Sequence, residues 1–318
     1  MTRPHNKVDD VIFASLPWYD LPEVREATDR FWGCLARNLR ERGFKQVPER
    51  LNRELPYDQQ WTSGKLLFSQ ACGYDVLLAY RNCLRLVVTP TYTVAGCRNG
   101  FYNSVLVVRR DARIDHTGEL RGVRCVINSP SSHSGMNMLR ALFASMQQNG
   151  RFFSAVLHSG SHEASLRMVA DGFADVASID RITYTLIERY RPIALRKTRV
   201  LCSSMRTPAP PYVTGSHMTD EQVEQIRQAL TETLAMPSMK VVMEALLLDG
   251  LANFPLETYR PIGDLERWAI RTGYHEIPSA PTVHLPPTGQ QQSWHGPKSH
   301  VHSAGVAYES EVSTVPVD

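Results

Sequence analysis

Apolar positions recur at helical spacing over Glu23–Arg42, where Val24, Ala27, Phe31, Leu35 and Leu39 share one side and Gly43 follows the last turn. The same period marks Asp220–Ala235, with Val223, Ile226, Leu230 and Leu234 inward, and continues in Lys240–Leu248 and Thr258–Gly273. Between these helices the period shortens. Val11–Ser15, Leu66–Phe68, Leu84–Pro90, Val105–Arg109, Val123–Ile127, Phe152–His158, Ala174–Ile179 and Val200–Ser203 are short apolar or β-branched runs that read as strands. Ser161 is placed to cap a helix opening at His162 and closed by Gly172, and Arg181–Tyr190 forms another behind Asp180. Strands alternating with helices predict an α/β protein.

The chain is organised around Val126–Leu139. Its strand ends in Ser129, Ser131, Ser132 and Ser134, and Gly135 opens a helical pattern carried by Met136, Leu139, Leu142, Phe143 and Met146. A strand that runs through such a turn into a helix leaves backbone N–H groups and the positive dipole end facing outward. Hydroxyls add further donors, and the whole forms an anion cradle. The plainer alternative is that Ser132 only caps the helix. Trp18 and Tyr19 follow the first strand, at the end where α/β sheets meet ligands. For Trp18, a half-buried structural aromatic is the favoured reading.

At 318 residues, 42% hydrophobic and 21% charged, the chain has the composition of a globular protein with room for two domains. A net charge of +3 with no basic block argues against nucleic-acid or membrane-surface partners. No apolar run approaches the roughly 18 residues that span a bilayer. Met1–Phe13 has neither an apolar core nor a small-residue cleavage site, so the reading leaves a processed or re-started chain, or a cytoplasmic one. Cys34, Cys72, Cys83, Cys97, Cys125 and Cys202 form no CxxC and lie near no paired histidines, so neither a metal nor a cofactor is expected. Residues 278–318, rich in Pro, Gln, Ser and His without periodicity, read as a disordered tail. The usual catalytic signatures are absent, and Ser132, His162 and Asp180 are not placed in a triad by sequence.

An ordered set of short motifs resembles the phosphate-, phosphite- and phosphonate-type substrate-binding proteins of ABC transporters. The matching pieces are Ser69–Tyr74 (SQACGY), Thr89–Tyr92 with Gly96-Cys97, Tyr102–Ser104, Ser131–Gly135, Gly160–Ala164, and Ala174–Ala177 with Asp180. The likeness covers about residues 10–275. It implies a type II periplasmic-binding-protein fold, two α/β lobes joined by two crossovers with the ligand between them. Residues 1–104 and 201–277 would form the first lobe and 105–200 the second. The family's anion-binding turn falls on Ser132, His133 and Ser134. His133 stands where relatives carry a small hydroxyl residue, and its imidazole would shrink the pocket or make binding pH-dependent.

The resemblance also aligns Asp180 with the ligand. An ionised carboxylate only accepts hydrogen bonds, so the ligand would need a protonated oxygen or an amine there, which disfavours sulfate. His162, Tyr19, Gln70 and Tyr92 are further expected contacts. Cys72 and Cys97 fall at the family's CGY and GC positions and are expected close together, as a disulfide or as two buried thiols. The resemblance implies a non-enzymatic, monomeric receptor for a small oxyanion, most plainly a phosphonate- or phosphate-like one, working with an ABC permease in the periplasm. The rival is a cytoplasmic enzyme on the same fold, of the menaquinone- or thiamine-precursor type.

Overall fold

The computed structural model describes residues 12–275. Val11 of the first expected strand, and the 278–318 segment, lie outside the described residues. Strand β1 (Phe13–Ala14) leads through a 3-10 turn at Pro22–Val24 into α1 (Arg25–Glu41). The short α2 (Tyr57–Thr62) precedes β2 (Leu66–Gln70), every residue of which is buried. A π-helical turn over Asp75–Ala79 then leads to β3 (Leu84–Tyr92). After β4 (Phe101–Tyr102), β5 (Ser104–Arg109) and β6 (Arg124–Ile127), the serine turn enters a π turn at His133–Asn137 and then α3 (Met138–Phe143). Next come β7 (Ala155–His158), α4 (His162–Ala170), β8 (Val176–Asp180), α5 (Arg181–Tyr190) and β9 (Thr198–Ser203). The chain ends with β10 (Thr207–Pro208), β11 (Tyr212–Gly215), α6 (Asp220–Ala235), α7 (Lys240–Ala245), β12 (Leu248–Ala252) and α8 (Arg260–Arg271). Among the described residues no helix is long and apolar enough to cross a membrane.

The strands form two five-stranded mixed sheets, in the orders β1-β2-β11-β3-β12 and β7-β6-β8-β5-β9. β1 runs parallel to β2, and β6 runs parallel to both β7 and β8. The second sheet is covered on both faces, which is why β5 reads as an unbroken apolar run. Its Val105 and Val107 pack with Leu166, Ile182 and Leu186, whereas Leu106 and Val108 pack with Leu139, Phe143 and Phe152. The first sheet rests on α1 and α6: Phe31, Trp32, Leu35 and Leu39 meet Phe68, Tyr212, Ile226 and Leu230 in one core. A two-stranded antiparallel ribbon of β4 and β10 lies where the chain passes between the sheets.

Two expectations are corrected. The Lys240–Leu248 helix stops at Ala245, because Leu247 takes φ 57° and turns the chain into β12 at the edge of the first sheet. The C-terminal helix, expected with the first lobe, packs Ala269 and the following Tyr274 into the core of the second sheet. Asn137 Nδ2 donates to Ile262 O (3.0 Å), and buried Arg140 pairs with Glu266 (3.2 Å), so α8 is fastened beside α3. On its other side, Tyr259 OH shares a 2.7 Å hydrogen bond with Thr89 Oγ1 in β3.

Candidate ligand-binding cleft

Five strands deliver their carboxyl ends to one cavity. Pro17–Leu21 follows β1, Cys72 and Asp75 follow β2, and Asn128, Ser129, Ser131, Ser132 and Ser134 follow β6. Gly160–Glu163 follows β7, and Asp180 ends β8. The carboxyl ends of parallel strands are where open α/β sheets receive ligands, because the helix starts that follow present free N–H groups there. The cavity measures about 160 Å³. That is below the roughly 300 Å³ at which sites for drug-sized ligands begin.

Three helix starts meet at this cavity. Ser132 Oγ accepts from Gly135 N–H (3.0 Å), Ser161 Oγ accepts from Ala164 N–H (3.1 Å), and Asp180 Oδ1 accepts from Ile182 and Thr183 N–H (2.8 and 2.9 Å). Each cap holds a helix whose positive end points inward. Ser132 is therefore both the cap and a wall of the cavity. Ser134 Oγ lies 2.9 Å from His162 Nε2, which joins the turn after β6 to the start of α4. Gly135 must be glycine here, since a Cβ on it would sit 1.8 Å from Asn128 Oδ1. The Tyr19 hydroxyl crosses from the first sheet and donates to Asp180 Oδ2 (2.9 Å). Tyr19 itself takes φ 64°, a left-handed conformation that costs on the order of 1–2 kcal/mol in a non-glycine residue.

Burial sets the charge states. It pushes Asp75 up to about 7 and Asp180 up to about 6, the latter against the opposing hydrogen bonds from Thr183, Tyr19 and Ile182. Burial also lowers His162 to about 4, so its imidazole is neutral at pH 7. Among the described residues the lining includes Asp20, Asp75, Glu163 and Asp180 but no lysine or arginine. Asp20 is paired with Arg53 (2.6 Å) and Glu163 with Arg191 (2.6 Å).

Of the residues expected from sequence, Tyr19, Ser132, Ser134, His162 and Asp180 come together on the cavity. Gln70, Tyr92 and His133 stand behind its wall. Gln70 Nε2 donates to Tyr92 OH (3.0 Å) and to Pro210 O (2.9 Å), and the Tyr92 ring packs edge-on against Tyr19 at 5.6 Å. His133 is fully buried. Its Nδ1 accepts from Asn137 Nδ2 (3.1 Å), so Nε2–H donates to Thr207 Oγ1 (3.0 Å). The expectation that this ring shrinks the pocket or titrates with ligand is corrected: it faces away, and burial lowers it to about 3.

The disulfide alternative is corrected too, because Cys72 and Cys97 are free thiols. The Cys72 sulfur is approached by the backbone N–H groups of Tyr74, His133 and Asp75, while Cys97 packs against another core beside Tyr102-Asn103. Nor is a Ser-His-Asp triad assembled. His162 meets Ser134, not Ser132; its buried Nδ1 has no partner, and Asp180 is engaged by Tyr19 and α5.

Several wall residues were not found from sequence. Trp18, read as a structural aromatic, lines the cavity with Tyr57, Asp75, Tyr102 and Asn128. Asp75 carried a signal: a carboxylate two residues past the CG of an apolar strand end. Tyr57 had none, since it arrives on a separate short helix.

A model of the family described as the periplasmic substrate-binding protein of phosphonate ABC transporters matches residues 13–259. No curated protein sequence matches the chain. Among solved structures, a binding protein component of an ABC phosphonate transporter from Pseudomonas aeruginosa is 19% identical with TM-score 0.64, over 82% of this chain and 87% of that one. A binding protein of Prochlorococcus marinus in complex with methylphosphonate is 15% identical with TM-score 0.63, over 81% and 98%. A Xanthomonas citri protein bound to chloride is 16% identical with TM-score 0.65, over 83% and 99%. These likenesses show the two-lobed periplasmic-binding-protein fold. Through the family match over most of its length, this chain belongs to the periplasmic substrate-binding proteins of phosphonate-type ABC transporters.

Proposed function

We propose that the chain is the solute receptor of an ABC importer and binds a small phosphonate- or phosphate-like oxyanion between its two sheets. The observation that carries this reading is the meeting of three helix starts, one of them the serine turn, on one small cavity that no described lysine or arginine lines. Such a site stabilises an anion through N–H and O–H donors and dipoles instead of full charges. In the tautomer that suits an anion, His162 Nε2–H donates to Ser134 Oγ, and the Ser134 hydroxyl proton turns toward the ligand. Asp180 selects against a fully deprotonated anion, because an ionised carboxylate repels one that brings no proton. Methylphosphonate, the ligand of the Prochlorococcus protein, is small enough for this cavity.

Residues 1–104 with 201–277 and residues 105–200 would act as the two lobes, with the β4–β10 ribbon as their hinge. A periplasmic location and a permease partner accompany the family. The thermal test uses phosphate, phosphite, methylphosphonate, 2-aminoethylphosphonate and sulfate. A ligand at 100 times its Kd adds about 2.7 kcal/mol of stability. The expected result is a raised Tm with one or more phosphorus oxyanions, none with sulfate, and ligand recovered unchanged. Silence across the phosphorus compounds, or their conversion to product, overturns the receptor reading.

A further inference from the structure

We propose that the cleft holds a second subsite, formed by Trp18, Tyr57 and Asp75, for a quaternary ammonium group carried by the same ligand. The inference rests on the receptor reading and narrows its ligand to a zwitterion.

Charge balance within the cavity points to it. Asp20 and Glu163 have arginine partners, and Asp180 is engaged by two helix N–H groups and the Tyr19 hydroxyl. Asp75 is 3% exposed, and among the described residues no side chain donates a hydrogen bond to it and no cationic side chain pairs with it. Its counter-charge must come from a proton or from what enters the cavity.

The neighbouring wall is aromatic and rigid. Trp18 stacks on Trp61 at 5.7 Å and meets Tyr57 edge-on at 5.3 Å. Trp61 lies 4.6 Å from Tyr57 and 5.0 Å from Tyr80, and is itself fully buried. This packing fixes Trp18 and Tyr57 where they line the cavity, with Asp75 close enough to act on the Tyr57 phenol. Aromatic faces attract cations, and most strongly those whose charge is spread over alkyl groups that also pack on the ring. A primary ammonium requires acceptors for three N–H groups, whereas among the described residues lining the cavity Asp75 is the one carboxylate without a side-chain partner. A quaternary ammonium requires none. The serine turn and its helix start are left for the anionic end.

Calorimetric titration with methylphosphonate, 2-aminoethylphosphonate and 2-(trimethylammonio)ethylphosphonate tests this in the full chain and in Asp75→Asn, Trp18→Ala and Trp18→Phe. The trimethylammonio compound is expected to bind about tenfold more tightly than methylphosphonate. Asp75→Asn and Trp18→Ala are expected to shrink the preference for the trimethylammonio compound over methylphosphonate to within about threefold, whatever the change in methylphosphonate affinity itself, with Trp18→Phe intermediate. Asp75→Asn is near-isosteric, so a failure of Trp18→Ala to fold does not remove the test. Methylphosphonate binding without the preference, or a preference that survives Asp75→Asn, overturns the subsite and leaves the receptor reading standing. Binding of none of the three overturns both.

Discussion

Asp75 carries a cost that depends on pH. Burial raises its folded-state value to about 7, so the folded protein holds the proton more tightly than the unfolded chain does. The penalty is therefore absent below about pH 4, grows between about 4 and 7, and is complete above that range. At 1.36 kcal/mol per pH unit it is at most on the order of 4 kcal/mol, because water in the cleft relieves part of it. Asp75→Asn removes the ionised form. Without ligand, the variant is expected to match the wild type in Tm near pH 4 and to melt progressively higher than it toward pH 8. A difference independent of pH would show that Asp75 is not held as described. Asp180 follows the same sign with its midpoint at about 6, while His133 and His162, lowered by burial, run the other way. The opposing slopes flatten the wild-type profile, which is why the single variant is the cleaner measurement.

At the scale of elements, the helix starts were the legible part of the site. Ser161 caps α4 where the sequence placed it, and Arg181–Tyr190 and Asp220–Ala235 keep their expected bounds. Periodicity and capping are local signals, and local signals survive folding. What failed were facts of orientation. The serine turn enters a π turn, not an α turn, and this rotates His133 out of the cavity onto Thr207 and Asn137. Nothing in one sequence records that extra rotation. Tyr57 and Trp18 likewise reach the cleft only through the packing of an aromatic cluster drawn from distant segments. The position of His133 gives a direct prediction. His133→Ala leaves Asn137 without one acceptor and Thr207 without its donor, and opens a void. It is expected to cost about 2–4 kcal/mol in denaturant unfolding while ligand affinity stays within about threefold. A large loss of affinity with unchanged stability would return His133 to the ligand.

In the described residues, two sheets send their strand ends to one small donor-lined cavity. The Tyr19–Asp180 hydrogen bond bridges them on the cavity side, and α8 fastens them on the other. The α/β class and the strands of the second sheet were legible because they are short apolar runs set between periodic helices, whereas β11 and β12 of the first sheet were not read as strands. The allegiance of α8 was not, since an amphipathic helix declares that it has a buried face and not which core receives it. Function at this scale depends on the cavity being where the ligand sits. The direct measurement is a crystal structure of the full chain grown with methylphosphonate. The phosphonate group is expected among the Ser131–Ser134 turn, Ser161 and Asp180, with its methyl group toward Trp18. Phosphonate density elsewhere on the protein, with the cleft holding only solvent, would contradict it.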